Sequence, residues 1–219
     1  MKSESIRKNF LWGLALVGTI SLGACEDSRR VPRFESPVPD TTSIDLDRPP
    51  TAKTLYRMGK MLAAQKEDRA AGAVFTTCIA RYPEFIPAYV ELADLRAGQR
   101  DFDGAIELLE QALDRVPQNA VIHNNLGMLW LLAHDYQRAL GEFATAVEQS
   151  PTDGRFLANQ ALALAMTGKY EEALDAYMQV VEAGAAHFNV GLVATARNDA
   201  VRASYEFQRA QSLGYVASR

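Results

Sequence analysis

The chain repeats itself every 34 residues. Steps of that size from Ala71 reach Ala105, Ala139 and Ala173, and from Phe75 they reach Leu109, Phe143 and Tyr177. From Gly59 they reach Ala93, Gly127 and Ala161; from Cys78, Ala112, Ala146 and Val180; from Pro83, Pro117 and Pro151. The next step shortens to 30, and Gly191, Ala203, Phe207 and Ala210 continue the columns. A period of this length predicts units of two antiparallel helices. Small residues in fixed columns let the helix axes approach, and the aromatic or Leu column fills the space between neighbouring units. Pro stops the second helix, and segments such as "GQRDF", "AHDYQ" and "TGKYEE" make the turn within a unit. Such a unit cannot bury its apolar face alone, so the units must stack.

These columns resemble the tetratricopeptide repeat (TPR), over about Ala52 to Gly214. The resemblance implies an all-α, right-handed superhelical solenoid of about five helix-turn-helix units, occupying residues 52–217. Two departures stand out. Gln160 interrupts a column otherwise held by Met58, Leu92, Leu126 and Val190. The fourth unit is four residues short and has no Pro, so "VVEAGAAHF" is expected to be a tightened junction. Only "YVASR" follows Gly214, where arrays of this kind usually add a solvating helix. The last helix is therefore expected to leave its apolar side open as a contact surface.

The first 24 residues read as a leader. Lys2, Arg7 and Lys8 precede the apolar run "FLWGLALVGTISL", which is too short to be a comfortable membrane span. "LGAC" follows and resembles the lipobox of bacterial lipoproteins, which implies lipidation of Cys25. Cys78 is then the sole remaining thiol, so no intramolecular disulfide is expected, and its apolar helix face suits a small core residue. Residues 25–51 are rich in Pro, Ser, Asp and Arg and lack periodicity, which predicts a disordered tether. A flexible chain of that length spans about 30 Å on average. From these features the protein is expected in a bacterial cell envelope, anchored to the membrane through its lipid and facing the periplasm. Glu26 rather than Asp follows Cys25, which favours the outer membrane.

In TPR proteins the first helix of each unit lines the concave face. One column facing that groove reads Arg57, Glu91, Asn125, Asn159, Asn189. Asn carries both a donor and an acceptor, so a row of them can pair with the backbone of an extended peptide. Some TPR superhelices use such a ladder, and the resemblance implies that role here; hydrogen bonding within the repeat is the alternative use of the same amides. The other groove positions include Tyr56 and Lys60, then Asn124 and Met128, then Leu162, then Phe188. The groove thus grows more apolar toward its C-terminal end, which suits a peptide with apolar anchors. Lys60 is expected to face Asp94, which argues against a clamp for a free C-terminal carboxylate.

The body is acidic, since the chain's formal net charge is −4 while its leader is basic. That argues against a nucleic-acid partner. No HExxH, phosphate loop or GxSxG elbow is present. His123 and His187 share a packing column, so neither is read as a metal ligand. No catalytic residues, metal or cofactor are expected. The sequence therefore reads as a lipid-anchored adaptor for a protein or peptide partner. In signal, length and repeat count it is loosely similar to Tad/Flp pilus and type IV pilotin lipoproteins. The second reading is a self-associating envelope protein, a homodimer through the last helix.

Overall fold

The computed structural model describes residues 49–216. The leader, Cys25 and the tether up to residue 48 lie outside the described residues. The chain divides after Pro49, and the unit from Pro50 onward is compact on its own contacts. It holds ten α-helices among the described residues: α1 Ala52–Ala64, α2 Asp68–Arg81, α3 Ile86–Gly98, α4 Phe102–Arg115, α5 Ala120–Leu132, α6 Tyr136–Gln149, α7 Gly154–Met166, α8 Tyr170–Met178, α9 Ala183–Ala196 and α10 Ala200–Ser212. Consecutive pairs form five helix-turn-helix units, as the 34-residue period predicts.

Each turn within a unit is built the same way. Lys66, Arg100, His134, Gly168 and Asn198 adopt positive φ just past the first helix. In three of the turns the next residue is an Asp that caps the second helix: Asp101, Asp135 and Asp199 accept from the amides of Gly104, Arg138 and Arg202. The left-handed residue reverses the chain, and the Asp satisfies an amide that the helix leaves orphaned.

The small-residue column fits the aromatic column pair by pair. A Cβ on Gly59, Gly127 or Gly191 would lie 2.4, 2.6 or 2.7 Å from the ring of Phe75, Phe143 or Phe207. Those units therefore require glycine. Where the second helix carries Leu109 or Tyr177, the first carries Ala93 or Ala161 instead. Ala71, Ala105, Ala139 and Ala173 are fully buried, as is Cys78.

Successive first helices touch one another along the array, whereas successive second helices do not meet. The stack is thus curved with the first helices inside, which makes α1, α3, α5, α7 and α9 the concave wall. The shortened fourth unit takes its deficit from the second helix. α8 has 9 residues where its counterparts have 13 or 14. The junction is tight, as expected, and α9 begins at Ala183 with Gly184, Ala185 and Ala186 all buried.

Candidate functional site

The concave wall changes character along its length. At its N-terminal end Glu91 collects two donors from the previous unit. The Tyr56 hydroxyl donates to its carboxylate at 3.0 Å, and the Lys60 ammonium donates at 2.7 Å. Lys60 therefore pairs with Glu91 and not with Asp94 as the columns suggested. The reason is geometric: side-chain hydrogen bonds between adjacent first helices join residues 31 or 35 apart, about a turn short of the 34-residue repeat or one residue beyond it. Asp94 keeps no such partner. Desolvation by the surrounding wall, with the neighbouring Glu91 charge, pushes its carboxyl up to about 6, and Lys60 offsets part of that.

The middle of the wall carries the asparagines. Asn125 donates through Nδ2 to the Val121 carbonyl of its own helix at 2.8 Å. Asn159 donates through Nδ2 to Asn124 Oδ1 at 2.7 Å, which ties α7 to α5. Asn189 makes no side-chain hydrogen bond among the described residues. All four amides are half-buried. Each of Asn125 and Asn159 has thus committed one of its two N–H donors, and its Oδ1 accepts no hydrogen bond among the described residues. Met128 is half-buried against Ala139, Phe143 and Ala163. Leu162, expected in the groove, is 5% exposed and belongs to the core instead. Helix α7 is buried continuously from Ala161 to Ala165, so its apolar side chains are consumed by packing on both sides.

At the C-terminal end Phe188 stacks on Phe207 with centroids 5.6 Å apart and on Tyr215 at 5.0 Å. These three residues, with Ala210, Gln211 and Val216, line a cleft of about 450 Å³. Phe207 and Tyr215 were not among the groove residues expected from sequence. A comparable trio opens the array, where Tyr56 lies 6.2 Å from Phe75 and 5.7 Å from Phe85.

The histidine column conceals a second pattern. His123 Nδ1 lies 2.8 Å from Glu142, and His187 Nδ1 lies 2.5 Å from Glu206. Both pairs link the two helices of one unit across 19 residues. The first is part-exposed. The second is deeply buried, since Glu206 is 0% exposed and also meets the Arg202 guanidinium at 2.5 Å. Arg202 in turn reaches Glu171 at 2.8 Å and lies over the ring of Tyr170. Among the described residues no cluster of His, Cys, Asp and Glu has the geometry to hold a metal ion, and no helix is long and apolar enough to cross a membrane.

Comparison with known proteins agrees with this architecture. Profiles described as tetratricopeptide repeat match residues 53–84, 90–154 and 133–185. The chain is 30% identical over 102 residues to the CTR9 homolog of Arabidopsis thaliana, covering 47% of this chain and 9% of that protein. It is 24% identical over 129 residues to the general transcriptional corepressor ssn6 of Schizosaccharomyces pombe, covering 58% of this chain and 12% of that protein. The chain thus spans only a small part of these curated relatives. Among solved structures, YrrB, described as a TPR protein with an unusual peptide-binding site, superposes with a TM-score of 0.56 at 20% identity. That match covers 73% of this chain and 84% of YrrB. MamA from Desulfovibrio magneticus RS-1 superposes with a TM-score of 0.59 at 17% identity, over 74% of this chain and 94% of that one. At these identities the likeness is one of fold.

Proposed function

Residues 53–84 and 90–185 are tetratricopeptide repeats, and from that premise we propose a lipid-anchored adaptor of a bacterial cell envelope that holds an extended segment of another protein in its concave face. Proteins built from these repeats act in protein–protein interaction. The observation that supports the groove reading is the row of half-used amides. Asn125 and Asn159 keep an acceptor unengaged, and Asn189 keeps both its donor and its acceptor. An extended peptide offers N–H and C=O groups at regular spacing, which such a row can meet without demanding particular side chains. Phe188 and the cleft beside it supply an apolar anchor at one end. The proposal assigns no catalysis, cofactor or nucleic acid.

The anchoring half of the reading rests on the leader and "LGAC". A lipid at Cys25 and a tether of about 30 Å would hold the solenoid near the bilayer while leaving it free to search the periplasm. Assembly of a pilus, a secretion system or an outer-membrane complex is the setting that fits such an adaptor.

The test uses the chain from Asp27 onward as cross-linking bait in native envelope extract, beside an Asn125/Asn159/Asn189→Ala variant with an unchanged helical melt. Loss of the captured partner in the variant supports the groove. Equal capture by both shows that the amides serve the fold. Incorporation of labelled palmitate into the full chain but not into Cys25→Ser reads the anchor separately. The self-association reading draws on exposed Val201, Tyr205 and Val216 near the C-terminus. A concentration-independent monomer in sedimentation overturns it.

A further inference from the structure

The first helix carries a stacking face on which no unit is stacked among the described residues. Three columns of each first helix meet the preceding unit. The first holds Ala88, Ile122, Phe156 and Ala186, which are 0–3% exposed. The second includes Leu92, Leu126 and Val190, at 8, 2 and 0%. The third includes Leu129, Ala163 and Val193, at 4, 0 and 1%. In α1 the same columns hold Thr54, Met58 and Met61. Met58 is 48% exposed and Met61 56%, since no unit precedes them among the described residues. Terminal repeats ordinarily make such a face polar. This one remains apolar at two of its three positions.

The charge beside that face is unlike the rest of the molecule. Residues 52–85 hold six Lys or Arg against three Asp or Glu, whereas residues 86–214 hold nine against seventeen. Helix α1 itself contains no acidic residue. At 100° per residue Lys60, Lys53 and Arg57 form one arc of the helix, and Met61, Thr54 and Met58 form the arc next to it. Lys60 is paired to Glu91. Lys53 and Arg57 are exposed and form no ion pair among the described residues. The surface is a helix side with cations on one flank and methionines on the other, a pattern suited to an anionic lipid interface.

Three occupants compete for it. A second copy stacking end to end would bring α10, whose columns that elsewhere meet the next unit hold Ser204 and Gln211. The earlier units place Gly72, Ile106, Leu140 and Leu174, and Ile79, Leu113, Val147 and Val181, at those positions. Helix α10 also carries Arg209, which forms no ion pair among the described residues and does not complement a basic α1. An acidic protein helix would meet the charge but has no reason to be held at this end. A bilayer has one: α1 is the first described helix after the leader and Cys25, so an anchored chain keeps this end nearest the membrane.

We propose that α1 is a membrane-docking face, in which Lys53 and Arg57 meet anionic headgroups and Met58 and Met61 enter the interface, orienting the solenoid with its N-terminal end on the bilayer. The location rests on the anchoring reading above, while the surface itself is testable without the lipid. The chain from Asp27 onward, whose solenoid is compact without the leader, is mixed with vesicles of phosphatidylcholine and with vesicles containing one part phosphatidylglycerol to three of phosphatidylcholine. Co-sedimentation is expected with the anionic vesicles only, weakening as salt rises. Lys53→Glu with Arg57→Glu should lower the partition at least about tenfold. Met58→Gln with Met61→Gln should lower it several-fold while keeping the salt dependence, and each variant must retain the wild-type melt. Equal binding to both vesicles, or undiminished binding by the charge-reversed variant, overturns the proposal. A chain that ignores vesicles but forms an oligomer lost in the methionine variant assigns the face to protein and likewise overturns it. Palmitate labelling at Cys25 reports on the anchor independently of all these results.

Discussion

The two ends of the solenoid solve the same problem in opposite ways. Every internal unit has neighbours on both sides, and among the described residues each end lacks one. At the C-terminal end the chain alters its own columns: Ser204 and Gln211 stand where other units are apolar, and Tyr215 folds back over Phe188, which lies against Phe207. Gly184 leaves room for that return, since a Cβ there would lie 2.8 Å from Tyr215 Cβ. The apolar side expected to stay open on the last helix is therefore reduced to a cleft and a few outward residues. At the N-terminal end no such replacement is made, and Met58 and Met61 stay exposed. An end that has been capped reads as a boundary. An end left apolar and basic reads as a surface kept for use.

The largest effect that would sharpen this contrast lies in the buried cluster beneath the C-terminal cap. Glu206→Ala removes the carboxylate that His187 and Arg202 share and leaves both donors without a buried partner. The expected cost is about 3–5 kcal/mol. The matching change in the third unit, Glu142→Ala, breaks a part-exposed pair and should cost about 1 kcal/mol or less. Because repeat arrays can fray from an end, the readout is amide exchange along α9 and α10 together with the melt. Similar losses in both variants would show that burial does not distinguish the two pairs.

Tyr215→Ala comes next. It uncovers the ring of Phe188 without touching a hydrogen bond of the fold, and should cost about 1–2 kcal/mol from lost apolar burial. Faster exchange confined to α9 and α10 is the expected pattern. An unchanged melt and exchange profile would mean that the tail does not cap the array.

The sequence made much of this legible, because stacking units impose column rules that a single chain displays five times over. The glycine–phenylalanine matching can be read directly, since Gly59, Gly127 and Gly191 each precede a Phe by 16 residues. What escaped depends on relations between columns. The His–Glu pairs needed two columns read together at 19 residues' separation, repeated between the third and fifth units. Lys60 joined Glu91 because neighbouring first helices meet a turn away from the repeat register. The column of Leu162 points to the groove, but the apolar run around it draws the whole segment into the core. The turns were located by sequence, yet four of the five use a residue other than glycine at positive φ, so composition alone does not announce them.

The smallest expected effect bears on the N-terminal end. Met58→Gln replaces an exposed side chain, and its effect on stability should stay within about 0.5 kcal/mol. The same exchange two units later in the column, at buried Leu126, places an amide against packed helices and should cost about 2–4 kcal/mol. Thermal melts of the two variants measure the difference. If Met58→Gln proved as damaging as Leu126→Gln, that end would already be covered by the chain itself, and nothing there would be left to dock. If it is neutral in the melt but weakens binding to anionic vesicles, the methionine is retained for contact and not for folding. The asymmetry between the ends is then a property of function, because stability alone would have favoured a polar residue at both.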